Sequence, residues 1–275
     1  MSRIAARFAT LKSEGRGALI PFLEAFDPDR ATAMAILNGM PDAGADLIEI
    51  GVPFTDPMAD GPTIQEAGQR GLKAGATLAG TLGMVREFRQ GDGSTPIILM
   101  GYFNPILSFG VARFCAEAAA AGVDGLIVVD VPPEEADELQ PHATAQNLDL
   151  IRLVAPTTDD ARLKTVLSAT TGFVYYVAIT GITGTRSAST ADLTAGIPRI
   201  RAHTELPIAI GFGVRTPRQA AEASRVADGA VVASALIEVL VRNLDENGAA
   251  MPGTAAAVLG RVRELAGAVR GSAQP

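Results

Sequence analysis

Eight short apolar runs recur along the chain, each separated from the next by enough residues for at least one helix. They are ALIPFL (18–23), DLIEIG (46–51), PIILMG (96–101), GLIVVD (125–130), DLIRLV (149–154), FVYYVA (173–178), PIAIGF (207–212) and GAVVAS (229–234). Most are near-continuous in Val, Ile and Leu rather than alternating with polar residues. Such runs suit strands buried on both faces, as in a parallel sheet. Between them lie Ala-rich amphipathic stretches at 29–43, 62–90, 108–122, 133–147, 158–170, 190–203 and 216–226, then 235–243 with 254–269. Pro133 followed by Glu134 and Glu135 is a helix-start signal, as is Thr216 before Pro217; Gly44 and Gly122 stand where helices stop. The stretch 62–90 is interrupted by glycines and predicts more than one helix. Strands alternating with helices, and no Pro/Ser-rich linker, predict a single-domain (β/α)8 TIM barrel over 1–270 with a flexible tail over 271–275. The segment MSRIAARFATLKSEGRG (1–17) lacks the apolar core of a signal peptide. Ile4, Phe8 and Leu11 share one helical face there, which predicts an extra N-terminal helix capping the fold.

Composition narrows the partners and the chemistry. A chain of 275 residues with 48% apolar and 19% charged residues is not disordered and has enough length for a large core. Its 23 Lys+Arg against 30 Asp+Glu give a net charge of −7 with no basic stripe, which excludes a nucleic-acid binder. No apolar run approaches the ~20 residues of a membrane span. Cys115 is the one cysteine, so no internal disulfide is available and a cytoplasmic location is expected. Its setting, ARFCAEAAA, suits a small buried hydrophobe.

In barrels of this kind chemistry sits at the C-terminal ends of the strands. Those segments here carry carboxylates and glycines. The two histidines, His142 and His203, and the three lysines, Lys12, Lys73 and Lys164, fall in or near predicted helices. A histidine triad, a histidine-rich metal site and a lysine imine therefore lack their residues. Neither GxGxxG nor GxxxxGK[ST] occurs, so nucleotide cofactors have no motif. What remains is acid–base work by carboxylates. Glu49 lies inside LIEIG and shares a strand face with Leu47. If that face is the barrel interior, Glu49 is a desolvated carboxyl with a raised pKa, suited to general acid/base work. If not, it is a strand-end glutamate paired to a loop arginine. Asp60 closes the loop VPFTDPMADGPT and either acts on a substrate or caps the helix that follows. Asp27 and Asp130 likewise cap or brace their loops.

Three segments in order on the last three strands have the make-up of a phosphate cradle: Gly181-Ile182-Thr183-Gly184, Gly211-Phe212-Gly213 and Ala233-Ser234. Glycine lets backbone N–H groups approach an anion unobstructed.

These residues carry a family likeness. DLIEIGVPFTDPMADGPTIQ (46–65), supported by MGYFNPI (100–106), GLIVVDVPPEE (125–135), GITG (181–184) and GFGV (211–214), resembles the tryptophan synthase α subunit family over essentially the whole chain. The resemblance implies a lyase that cleaves indole-3-glycerol phosphate to indole and glyceraldehyde 3-phosphate. It implies Glu49 and Asp60 as the catalytic pair. Phe22, Ile64, Met100, Ile127, Val129, Leu153, Tyr175, Thr183 and Phe212 would then form the indole pocket, although each is equally barrel core on the sequence alone. Gly184, Gly213, Ala233 and Ser234 would hold phosphate. Pro53, Asp56 and Asn104 would meet a β subunit in an α2β2 heterotetramer. No cofactor is implied for this chain; pyridoxal phosphate would belong to the β subunit. Phe26 and Ala233 stand where the family usually has glycine, and Ala178 where it usually has serine. Ala233 predicts weakened phosphate affinity, and the three departures together predict weakened activity and keep a second reading open, a poorly active subunit that activates its partner. A third reading is another phosphate-binding barrel isomerase.

Overall fold

The computed structural model describes residues 2–177, 190–211 and 213–271, with backbone alone at 190–195. The elements are α1 (Arg3–Ser13), β1 (Ala18–Glu24), α2 (Arg30–Ala43), β2 (Ile48–Gly51), α3 (Pro62–Lys73), α4 (Leu78–Phe88), β3 (Ile97–Gly101), α5 (Phe103–Phe109), α6 (Val111–Ala121) and β4 (Gly125–Val128). After a 3₁₀ turn (Pro133–Glu138) follow α7 (Gln140–Ala145), β5 (Asp149–Leu150), β6 (Arg152–Val154), α8 (Asp160–Ser168) and β7 (Val174–Val177). The chain then forms α9 (Thr190–Arg201), β8 (Ile208–Gly211), α10 (Pro217–Val226), β9 (Gly229–Val232), α11 (Ser234–Val241) and α12 (Thr254–Arg270).

All strand pairs are parallel, in the order β5-β4-β3-β2-β1-β9-β8-β7-β6. β5 and β6 are halves of the fifth predicted strand, parted at Ile151, whose N–H donates to the Leu126 carbonyl at 3.0 Å. The first half pairs with β4 and the second with β7. Continuity of the chain at Ile151 thus closes an eight-stranded ring, the predicted TIM barrel. The long stretch 62–90 divides into α3 and α4, as its glycines require. Gly44 and Gly122 end α2 and α6 with φ of 104° and 95°, the left-handed region that glycine enters freely. Thr216 and Gln219 form a capping box on α10. The predicted 133–147 helix is instead split, and the acidic first turn at Pro133 is 3₁₀. α12 runs to Arg270, and the remainder of the predicted tail, 272–275, lies outside the described residues.

Residues two apart on each strand point the same way. Leu19, Leu23, Ile48, Ile50, Ile97, Leu99, Val174 and Tyr176 pack outward against the helices. Ala18, Ile20, Leu47, Ile98, Ile127, Ile151, Phe173, Tyr175, Ala209 and Val231 fill the lumen. α1 closes the N-terminal end by placing Ile4, Phe8 and Leu11 in that lumen cluster, with the Phe8 and Phe173 rings 5.7 Å apart. The same end is clasped by aspartates that precede strands. Asp46, Asp124 and Asp228 accept from the N–H of Leu19, Ile97 and Ile208 at 3.0, 2.8 and 2.7 Å. Each also binds arginine: Arg16, then Arg3 and Arg89, then Arg201.

Phe26, where glycine was expected, has φ of 64° and is buried against α4, where a Cβ on Gly80 would lie 3.0 Å from its ring. A left-handed non-glycine residue costs about 1–2 kcal/mol, whereas losing a buried phenylalanine costs about 3–5 kcal/mol. Packing therefore outweighs strain. We expect Phe26→Gly to destabilise the fold by roughly 1–4 kcal/mol, measured as a lower urea midpoint; a higher midpoint would show that backbone strain dominates at this turn.

Candidate active site

Glu49 is on the lumen face of β2, in register between Phe22 of β1 and Ile98 of β3. It is 1% exposed, and neither carboxyl oxygen has a hydrogen-bond partner among the described residues. Burial, and then the negative Asp60, push its pKa to about 8. The loop-arginine alternative does not match this environment.

Asp60 does not cap α3. The N-cap is Gly61, without a side-chain bond, followed by Pro62 at the first position. The Asp60 carboxylate instead accepts from the Tyr102 hydroxyl, whose oxygen accepts the Ala59 N–H at 3.0 Å. Burial lifts Asp60 to about 6, and the tyrosine bond opposes that rise. Tyr102 is itself buried and leans on Phe54, with ring centroids 5.4 Å apart. The Gln65 amide donates to the Pro57 and Asp60 carbonyls at 3.3 and 2.9 Å, tying the loop to α3. The motif MGYFNPI contains Tyr102 without marking it as functional. Its signal was a hydroxyl-bearing aromatic just beyond a strand end, where most residues are apolar.

Phe22, Ile64, Met100 and Val129 line one small mouth cavity together with Asp60 and Tyr102. Ile127 and Tyr175 sit in the lumen cluster, with Leu153 packed on it. Tyr175 can occupy that layer because β8 has glycine there: a Cβ on Gly211 would be 2.1 Å from its ring. The anionic field of Glu49 adds to burial in raising the Tyr175 pKa. At the proposed phosphate end, Gly213 has φ of 81°, which needs glycine. Ala233 has φ of −116° and ψ of −80° and serves as N-cap of α11, with Ser234 the first helical residue. The backbone at 233, with its negative φ, thus does not demand glycine. Thr183, Gly184, Phe212 and Ala178 lie outside the described residues.

Asp27 and Asp130 brace loops, as one of their two readings had it. Both Asp27 oxygens accept from Arg70, at 2.6 and 2.8 Å, and Asp130 accepts the Phe103 N–H at 2.9 Å. His142, His203, Lys12, Lys73 and Lys164 are exposed, away from the mouth, and Cys115 is buried. On the mouth rim, Pro53 packs on α3 near Gly71, while Asp56 and Asn104 are exposed. The loop after β2 and helix α5 also carry two exposed apolar side chains that the sequence does not flag, Met58 at 76% and Leu107 at 54% exposure.

A family model described as tryptophan synthase alpha chain matches residues 8–266. The chain belongs to the tryptophan synthase alpha chain family. A tryptophan synthase alpha chain from Acidiphilium cryptum is 66% identical over 271 residues, covering 98% of each chain. One from Granulibacter bethesdensis is 66% identical over 270 residues, 98% of this chain and 97% of that one. A crystal structure of tryptophan synthase subunit alpha from Legionella pneumophila superposes with a TM-score of 0.89 at 35% identity, covering 98% of both chains. Membership makes the chain a lyase subunit and implies a β-chain partner. Among the described residues no helix is long and apolar enough to cross a membrane.

Two expectations follow from the tryptophan synthase alpha site. Glu49 holds its proton to about pH 8 when folded but only to about 4.3 when unfolded. Its protonation therefore stabilises the fold below the lower value, and that contribution fades as pH rises to about 8. Wild-type stability should fall by up to about 1.4 kcal/mol per pH unit from this group, and Glu49→Gln should lack that slope. Urea melts at acid, neutral and mildly alkaline pH check this; a constant gap between the two proteins would mean a solvated carboxyl. Tyr102→Phe should remove the bond to Asp60, move the acid limb of kcat/KM upward and reduce its plateau about tenfold. A pH–rate profile superimposable on wild type would detach Tyr102 from Asp60.

Proposed function

We propose that this chain cleaves indole-3-glycerol phosphate to indole and glyceraldehyde 3-phosphate with Glu49 and Asp60 as its acid–base pair. The observation that carries the reading is one juxtaposition. A carboxyl with its pKa near 8 and no hydrogen-bond partner among the described residues shares the lumen mouth with a carboxyl near 6, among Phe22, Ile64, Met100 and Val129. At neutral pH the first is an acid and the second an anion, a division of roles that environment alone imposes on like side chains.

A retro-aldol cleavage needs an electron sink. Glu49 delivers its proton to indole C3, which turns the ring into an iminium-like acceptor. The Glu49 carboxylate then takes the proton from the glycerol hydroxyl next to the breaking C–C bond, and the bond's electrons return to the indole ring. Glu49 ends protonated, ready for the next turnover. Asp60 faces the indole N–H, where positive charge grows, and stabilises it more in the transition state than in the ground state. The scheme needs neither lysine nor metal. The phosphate is held by Gly213 and by the N-terminus of α11 at Ala233 and Ser234, where first-turn N–H groups favour an anion, together with Gly184. Thr183 and Phe212 complete the indole pocket with Ile127, Leu153 and Tyr175.

A β subunit docks on the mouth rim at Pro53, Asp56 and Asn104, with Met58 and Leu107 as apolar anchors, in an α2β2 assembly. Pyridoxal phosphate belongs to that partner, and this chain has none of its own. Met58 and Leu107 support this placement, because large apolar side chains so exposed mark contact sites.

Indole release, followed with and without a β subunit, tests the reading. Glu49→Gln should lower kcat about 10²–10⁴-fold with the fold intact, since general acid–base catalysis contributes that much. Asp60→Asn should lower kcat more than it raises KM. A Glu49→Gln protein that keeps a tenth of the activity would remove Glu49 from the mechanism. A partner that binds without changing the rate would instead favour the activating-subunit reading.

A further inference from the structure

Glu24 ends β1 on the lumen face, two residues beyond Phe22, and is 5% exposed. Its neighbour in register on β2 is Gly51. A Cβ on Gly51 would lie 2.2 Å from Glu24 Oε2, and one on Gly68 of α3 would lie 3.7 Å from Oε1. The carboxyl therefore fills a slot that two glycines leave between β2 and α3. It lines the mouth cavity with Asp60 and Tyr102, yet receives no hydrogen bond from a described residue.

The titratable groups facing it come from four elements. Asp27, just past β1, and Arg70, on α3, are bound to each other through both guanidinium nitrogens that reach the carboxylate. Glu49 lies two residues before Gly51 on β2, Asp60 is in the loop that follows β2, and Tyr102 is at the end of β3. Behind β1 the lining from α2, α11 and α12 is apolar, including Ile36, Met40, Leu236 and Val258. Burial first, then the negative Asp60 and Asp27, push the Glu24 pKa well up, and Arg70 offsets this only in part. Glu24, Glu49 and Asp60 thus share one end of the lumen, and the guanidinium nearest Glu24 is committed to a fourth carboxylate. With Asp60 ionised, Glu24 retains its proton, and a neutral carboxylic acid is a hydrogen-bond donor.

We propose that Glu24 is a positioning residue for the cleavage: as a neutral acid it turns its O–H toward Asp60 across the cavity both line, directly or through one water, and steadies the Asp60 carboxylate. This rests on the lyase reading and adds to it a residue that acts through Asp60. The sign of the effect separates the alternatives. A neutral donor lowers the Asp60 pKa, an ionised Glu24 would raise it, and a residue that merely packs would leave it alone.

The test compares Glu24→Gln and Glu24→Leu with wild type in pH profiles of kcat/KM for indole release, using the α–β complex. Glu24→Leu loses the donor and should move the acid limb upward by about half a pH unit or more, with kcat reduced several-fold. Glu24→Gln keeps an N–H donor and should leave the limb in place. A downward shift in Glu24→Gln would mean that Glu24 works as an anion, and unmoved limbs in both variants would mean packing alone; either result overturns the proposal. Should Glu24→Leu fail to fold, infrared difference spectra decide independently of activity. At neutral pH, wild type minus Glu24→Gln should contain the carbonyl stretch of a protonated carboxyl, and its absence overturns the proposal. A wild-type complex that releases no indole would instead defeat the lyase reading, while the infrared result still reports whether Glu24 is neutral.

Discussion

A ring of eight parallel strands sends alternate side chains into a lumen that water does not fill, and the chemistry of this chain depends on that exclusion. A carboxyl in such a place has no solvent to stabilise its charge and must find a partner or keep its proton. Glu49 finds no partner among the described residues. Its neighbours in register are Phe22 and Ile98, and the layer below is aliphatic. The raised pKa is thus a property of the barrel, set by the surrounding side chains and only secondarily by the Asp60 charge.

The two ends of the barrel treat charge in opposite ways. At the N-terminal end every clasping aspartate is matched by arginine and by a strand N–H: Asp46 with Arg16, Asp124 with Arg3 and Arg89, Asp228 with Arg201. Charges paired in this way hold the ring together. At the C-terminal end Glu24, Glu49 and Asp60 gather with one guanidinium close by among the described residues, that of Arg70, and Asp27 binds it on two sides. The shortage of cations leaves proton affinity graded from group to group. A bare carboxylate at neutral pH would be a poor acid, so the ungenerous electrostatics of the mouth are what make acid catalysis available there.

Two of the residues that depart from the family pattern, Phe26 and Ala233, lie within the described residues. Phe26 accepts a left-handed backbone and gains a buried ring against α4. Ala233 has a φ of −116°, outside the left-handed region that favours glycine. Glycine matters instead where space is short: Gly211 under Tyr175, and Gly51 and Gly68 around Glu24.

Much of this was legible in the sequence. Near-continuous apolar runs separated by amphipathic stretches determined a parallel barrel, because only strands covered on both faces take that composition, and the pairing of Leu47 with Glu49 on one face placed a carboxyl toward the lumen if that face turned inward. The segment 46–65 carried the family likeness by itself. Tertiary structure decided which face turned inward, since periodicity fixes which residues share a side but not which side meets the core. It also excluded the capping reading of Asp60, whose partner Tyr102 lies 42 residues away in the chain and meets it across the ends of neighbouring strands. Glu24 escaped the sequence reading for the same reason. Its slot is made of missing side chains at Gly51 and Gly68, and the space left by a glycine acquires an occupant only when the chain folds.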